Sequence, residues 1–349
     1  MENETYMARA LHLAQSGLGL VSPNPLVGCV IVHQNNIIGE GYHQKYGAAH
    51  AEVNAIRSVK EKNLLPYSTL YVTLEPCAHY GKTPPCADLI VKSEIKKVVI
   101  CNLDPNPLVA GKGIQKLKEA GIDITLDVLH AQGKWLNRRF FTSFEKNRPY
   151  IILKWAETKD GFVDSIRDSN STALKISDAI NSNLVHTWRA QEDAIWVGKN
   201  TVLKDNPSLT TRNIVGKNPI RITCDKKNNI PPEFHIFNPE AKTIIFNIEK
   251  NEEKDANKWM RISDENCLEE MLDKLHQYKI QSILVEGGTW LLNTFIKSGI
   301  WDEARVSQHK DLTIGTGIKA PKTLNMNLKE KVLEGEMEVK FYTNPHQLT

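Results

Sequence analysis

No apolar run in this chain approaches the ~20 residues that a transmembrane helix needs. The first residues, MENETYMARALHLAQ, also lack the basic start, apolar stretch and small-residue cleavage site of a secretory signal. The expectation is a cytoplasmic protein with no membrane partner. Charge of one sign is missing too: 44 basic residues stand against 41 acidic ones, so no dominant field points to nucleic acid or an anionic surface. The expected partners are small molecules. Six cysteines in 349 residues are too few for a disulfide framework, and an untargeted chain meets a reducing compartment. Its thiols are left as metal ligands or core residues. No GxGxxG joins a strand to a helix, which removes support for a Rossmann cofactor site, and no fixed-period repeat is visible.

What is present is an alternation. Met7, Ala10, Leu11 and Ala14 fall at helical spacing. Then VGCVIV, TLYVTLEP, KVVICN and DITLDVL read as strands, interleaved with the helical stretches AHAEVNAIRSV, ADLIVKS and GIQKLKEAG. This is the pattern of a layered α/β domain with a largely parallel sheet. A polar helix, AQGKWLNRRFFTSFEKN, leads to Arg148-Pro149, and the pattern restarts with YIILKWAET, AIWVGKN, PIRITCD, TIIFN, SILVEGG and DEARVSQ as strands. The length suits two domains, divided as 1–146 and 147–349. The polar segment NIEKNEEKDANKW reads as a solvated loop or a helix start.

Two short motifs carry chemistry in the first half. His50-Ala51-Glu52 and EPCAHYGKTPPC each follow a β-run and open a helix. Two thiolates and one imidazole make a three-ligand zinc set that leaves a fourth position for water, the arrangement of a catalytic site. The expected ligands of one Zn2+ are His50, Cys77 and Cys86, with Glu52 as the proton carrier, in the manner of the HxE and Pro-Cys signature of zinc deaminases. Either motif alone is weak, and Cys29, Cys101, Cys224 and Cys267 read as core residues. Eight residues between Cys77 and Cys86 depart from the CxxC spacing of nucleoside and nucleic-acid deaminases.

Together SPNPLVGCVIV, HAEVNAI, EPCAHYGKTPPC and DPNPLVAGKG resemble the deaminase half of the bifunctional riboflavin-biosynthesis deaminase-reductases, and the likeness extends over essentially the whole chain. It implies a cytidine-deaminase-like three-layer α/β domain followed by a dihydrofolate-reductase-like α/β domain. It also implies a diaminopyrimidine substrate carrying a ribosylamino-phosphate, and a homo-oligomer. By the same resemblance Asn24, His43, His79, Lys82, Thr83, Asp104, Asn106 and Lys112 line the deaminase substrate pocket. Any one Asn or Asp of these loops also suits a plain turn.

In the second half KWAETKDG puts Lys154 inside an apolar strand, and RAQEDAIWVGKNTVLKDNPSLTTR and ILVEGGTWLLNTF resemble the reductase half of that family, which uses NADPH. The resemblance gives Lys154, Asp205 and Glu286 roles at the substrate, with Lys154 and Asp205 as catalytic candidates, and adds Arg189, Leu209 and Arg212, the arginines for its phosphate. Cofactor contacts fall on Ala156, Glu157, Lys175, Thr201, Asp205, Gly288, Thr289, Trp290, Leu291, Leu292 and Asn293. On residues alone, Lys154 also reads as an edge-strand lysine and Arg189 as a helix C-terminal cation. Two departures stand out: Lys175 replaces an aromatic cofactor contact, and Glu157 occupies a backbone contact position. Two competing readings remain, a nucleic-acid deaminase with an accessory domain and a non-catalytic zinc module. The first expects basic and aromatic clustering, and the second gives Glu52 nothing to do.

Overall fold

A computed structural model of the chain describes residues 2–78, 80, 84–107, 109–167, 171–264 and 267–347. It divides into two compact units, Met1–Asn147 and Arg148–Thr349.

The first unit runs α1 (Glu2–Gln15), β1 (Gly28–His33), β2 (Asn36–Tyr42), α2 (Ala51–Ser58), β3 (Thr69–Val72), α3 (Cys86–Lys92), β4 (Lys97–Ile100), α4 (Lys112–Glu119), β5 (Asp123–Thr125), α5 (His130–Leu136) and α6 (Arg138–Lys146). Its sheet has the order β2-β1-β3-β4-β5. Because side chains alternate across a strand, Cys29 and Ile31 of β1 join Leu70, Val72, Val98 and Ile100 in a core that also takes Ala51, Ala55, Ala87, Ile90 and Leu117 from α2, α3 and α4. Val30, Val32, Tyr71 and Val99 face the other way, onto Met7, Ala10 and Leu11 of α1. Three layers result.

This sheet is less parallel than the sequence suggests: β1 is antiparallel to both β2 and β3, and only β3, β4 and β5 run together. The polar helix before Arg148 is also two helices. Asn137 separates them because its buried side chain donates to the Leu26 carbonyl and accepts the Leu26 N–H, both at 2.8 Å.

The second unit runs β6 (Tyr150–Glu157), β7 (Phe162–Asp164), α7 (Ala179–Gln191), β8 (Ala194–Trp196), α8 (Lys199–Asp205), β9 (Ile220–Cys224), β10 (Thr243–Asn247), β11 (Glu252–Lys254), β12 (Asn257–Arg261), α9 (Cys267–Gln277), β13 (Ser282–Glu286), α10 (Thr289–Ser298), β14 (Glu303–His309), β15 (Ile318–Lys319), β16 (Asn327–Glu334) and β17 (Met337–Thr343). Ten strands form one sheet in the order β11-β12-β10-β9-β8-β13-β6-β14-β17-β16, while β15 pairs with β7. The segment NIEKNEEKDANKW is neither loop nor helix start: β11 and β12 pair antiparallel, with Asp255 at positive φ in the turn between them.

The topology positions a site. Strand β8 leaves through α8 toward β9 on one side, whereas its parallel neighbour β13 leaves through α10 toward β14 on the other. Where neighbouring connections diverge, a crevice opens at the carboxyl ends of the strands. Ile151, Leu153, Ile283 and Val285 fill the core on one face of the sheet. Tyr150, Ile152 and Leu284 face Val185 and Trp188 of α7 on the other.

Candidate functional site

In the first unit the three donors come from three separate places. His50 sits at the N-cap position of α2, Cys77 follows β3, and Cys86 is the first residue of α3. Their ligand atoms all lie within 4.8 Å of one another, and theirs is the one such set among the described residues. His50 Nδ1 is 3.6 Å from Cys77 Sγ and 3.3 Å from Cys86 Sγ. Zinc bound tetrahedrally at ~2.3 Å to sulfur and ~2.0 Å to nitrogen sets donors ~3.5 Å apart, so this donor set fits the ion in chemistry and in spacing. Cys77 is driven toward the thiolate, down to about 4, first by the Cys86 thiol that donates to it, against burial, and further by His50. Cys86 is held protonated in return, with burial adding to the effect.

Glu52, one residue into α2, is 3% exposed. Burial, reinforced by the charge on Cys77, pushes its carboxyl up to about 7. Beside the metal ligands His43 packs edge-on against His50, ring centroids 5.5 Å apart. Its Nδ1 is 3.1 Å from the Ala49 carbonyl, which can only accept, so the proton of the neutral ring is on Nδ1 and Nε2 accepts from the Asn24 amide at 3.1 Å. Burial lowers the His43 pKa, consistent with that neutral ring. His43 is buried and both its nitrogens are engaged, so it orients Asn24 rather than reaching outward.

Asp104 and Asn106 form a turn in which Asp104 Oδ1 accepts the Asn106 N–H at 2.8 Å, and Lys112 opens α4. That helix begins against the metal loop: a Cβ on Gly113 would lie 1.9 Å from the Pro76 carbonyl oxygen. His79, Lys82 and Thr83 lie outside the described residues.

In the second unit a cavity of ≈ 890 Å³ opens over the crevice, at the upper end of the ligand-pocket range. Lys154, Ala156, Lys175, Arg189, Thr201, Asp205, Leu209, Arg212, Glu286, Gly288, Thr289, Trp290 and Leu292 line it. The pairing of β13 with β6 sets Glu286 beside Lys154. Arg189, from α7, grips Glu286 through Nε at 3.0 Å and Nη2 at 2.7 Å, and Lys154 Nζ stands 3.9 Å from the same carboxylate. Burial pushes the Glu286 carboxyl up, but the Arg189 and Lys154 charges outweigh it and hold the group at about 2. Lys154 moves down instead, because burial outweighs what the already shared Glu286 returns.

The start of α10 is prepared for an anion. It lies beside α8, since a Cβ on Gly288 would meet Thr201 Oγ1 at 3.2 Å, and Thr289 Oγ1 is buried with no hydrogen-bond partner among the described residues. Helix N-termini with unsatisfied donors suit phosphates, so the crevice fits a phosphate-bearing nucleotide.

Three expected contacts are not among the lining residues: Glu157, expected as a backbone contact, whose side chain accepts from Trp155 Nε1 at 2.8 Å and Gln308 Nε2 at 3.0 Å; Leu291, which packs in the core; and Asn293. Arg189 is likewise more a partner of Glu286 than an open phosphate ligand, whereas Arg212 is exposed on the wall. Two lining residues escaped the sequence reading. His186 lies one turn before Arg189 and accepts the Arg212 N–H at Nδ1, 3.2 Å away, a neighbour that i, i+3 spacing on α7 could have flagged. Arg167 donates to Asp164 at 2.6 Å and to Asp205 at 2.8 Å, and nothing in the polar stretch around it signals that role.

Comparison with known proteins agrees with this arrangement. Residues 1–102 match the cytidine and deoxycytidylate deaminase zinc-binding region, and residues 149–316 match the RibD C-terminal domain. The riboflavin biosynthesis protein RibD of Aquifex aeolicus is 41% identical over 86% of this chain and 85% of its own length. That of Actinobacillus pleuropneumoniae is 39% identical over 92% and 87%. Among solved structures, a Thermotoga maritima diaminohydroxyphosphoribosylaminopyrimidine deaminase/5-amino-6-(5-phosphoribosylamino)uracil reductase superposes with a TM-score of 0.87 at 37% identity, covering 98% of this chain and 99% of that one. RibD of Acinetobacter baumannii gives 0.88 at 32% identity, covering 98% of each. Matched in both halves and along most of its length, the chain belongs to the RibD family of riboflavin biosynthesis proteins.

Proposed function

We propose that the chain carries out two successive steps of riboflavin biosynthesis on one phosphorylated pyrimidine. The first unit, residues 1–146 by the sequence division, hydrolytically deaminates 2,5-diamino-6-(5-phosphoribosylamino)pyrimidin-4-one. The second, residues 147–349, reduces its ribosyl group to ribityl with NADPH. The observation that carries this reading is the His50, Cys77 and Cys86 donor set beside a buried Glu52.

A zinc ion held by these three side chains supplies Lewis-acid activation of water at neutral pH. Glu52 takes a proton from the attacking water and passes it to the departing amino group, so that ammonia leaves as the carbonyl forms. A carboxyl near 7 can both accept and donate. Asn24, oriented by His43, presents its carbonyl oxygen to the substrate.

In the second unit Thr201, with Gly288 and Thr289 at the start of α10, would hold NADPH, which would supply a hydride; the acceptor is C1 of the sugar once the ribosylamine has opened to an imine. Lys154 is the proton donor for that opening: burial, and to a lesser degree the Arg189 charge, weaken its hold on the proton, while Glu286 keeps it in place. Asp205, held by Arg167, orients the sugar, and Arg212 takes the phosphate. The test is incubation with the diaminopyrimidine ribosylamino-phosphate, with and without NADPH. Ammonia release independent of NADPH, followed by NADPH oxidation, is the expected result; ammonia without any NADPH consumption would overturn the reading of the second unit.

A further inference from the structure

Glu75 is the acid of the Glu-Pro-Cys sequence, yet neither metal binding nor proton transfer uses it. Its carboxylate is 4% exposed and points away from solvent into the 104–114 segment. Oε1 accepts the N–H groups of Gly113 at 3.0 Å and Ile114 at 3.3 Å, and Oε2 accepts those of Gly111 at 3.0 Å and Asp104 at 3.4 Å. Its own N–H donates to the Asn102 carbonyl at 2.9 Å. One buried carboxylate thus gathers both ends of a loop and the first turn of α4, where unsatisfied backbone donors collect. That loop carries Asp104, Asn106 and Lys112, and its far end lies against Pro76, the residue between Glu75 and Cys77.

We infer that Glu75 is a positioning residue for the deaminase: it locks the substrate-facing loop to the segment after β3 that bears Cys77, so that pyrimidine binding and the metal centre share one frame. The inference rests on the deaminase reading above. Hydrogen bonds to a carboxylate are roughly twice as strong as neutral ones, and a neutral amide cannot replace this one, because its NH2 would face N–H groups.

The test compares Glu75→Gln with the wild-type holoenzyme. Expected are unchanged zinc per chain, faster amide hydrogen exchange confined to the 104–114 segment, and a deaminase KM raised about tenfold or more with kcat changed far less, the scale of one or two lost charge-assisted bonds. NADPH oxidation on the deaminated substrate stays as in the wild type. Unchanged exchange and KM would overturn the inference, as would loss of zinc with an unaltered KM in the loaded fraction, which marks a merely structural residue. If Glu75→Gln does not fold, Gly111→Ala perturbs the same loop from outside. Gly111 has φ +78, and a methyl group there would meet no atom within 4 Å. The substitution therefore strains the loop without a clash, and the same KM and exchange changes are expected, in smaller measure; their absence there overturns the inference. Wild-type protein that releases no ammonia sinks the deaminase reading itself, whatever the exchange data show.

Discussion

At the scale of single residues, Glu52 separates metal binding from catalysis. Glu52→Gln keeps the three donors intact, so zinc per chain is expected to stay constant while ammonia release falls by about 10² to 10⁴, the usual worth of a general acid-base group. Metal analysis and an ammonia assay on the same preparation check this; full activity in the variant removes Glu52 from the reaction. Lys154 gives the opposite kind of signal. Its ammonium is buried and only loosely compensated, with Glu286 3.9 Å away and already gripped by Arg189. Lys154→Met is therefore expected to leave the Tm unchanged or raised while NADPH oxidation drops about 100-fold or more. A lower Tm would mean that the lysine stabilises the fold after all.

Glu286 carries a pH signature. Its carboxyl is held at about 2 against an ordinary 4.5, so the stability it contributes is fully present above about 4.5 and is lost as pH falls from there toward 2. Linkage puts that contribution on the order of 3 kcal/mol. In Glu286→Gln the acid limb between those pH values is expected to flatten, read from denaturant midpoints across pH. An acid limb as steep as in the wild type would assign it to other carboxylates.

Among the elements, α7 delivers Arg189 and His186 to the cavity, so its anchoring bears on the site. Asp178 caps it, accepting the Asn181 N–H at 2.7 Å, and also accepts the Glu336 N–H, at 2.7 Å, from the turn between β16 and β17. Asp178→Ala is expected to cost about 1 to 2 kcal/mol and to lower the Tm of the second unit by about 3 to 6 °C, measured by calorimetry. The elements also show what periodicity can and cannot reveal. Strands β1, β3, β4, β6, β10 and β13 are largely apolar runs bounded by turns, and they read correctly. Strand β2, with exposed Asn36 and Ile37 and two glycines, and the largely exposed β16 lack the apolar content that marks a strand, because pairing to a neighbour holds them rather than burial. The strand-like reading of AIWVGKN runs on past Trp196, where β8 ends, into the first two residues of α8. Asn137 interrupts a helical pattern through a contact 111 residues away, which no local rule detects.

On the scale of the whole chain, the metal donors were legible because residues of two rare types, one His and two Cys, fall at or just ahead of the starts of two helices, whereas Arg167 and His186 acquire their partners only on folding. Each unit has its own sheet and core, so the two activities are expected to respond separately to metal removal. A zinc chelator should abolish ammonia release yet leave NADPH oxidation on the deaminated substrate within about twofold, and added zinc should restore the first. Loss of both together would mean that the metal sustains more than the first unit. The crevice between β8 and β13 has a last consequence. The hold on a coenzyme phosphate proposed there would come from the main chain at the start of α10, and main-chain donors survive nearly every side-chain replacement. On that proposal, Lys175 in place of an aromatic on the cavity wall is expected to leave the hold on the coenzyme phosphate intact, whereas replacing His50, Cys77 or Cys86 removes a metal donor outright.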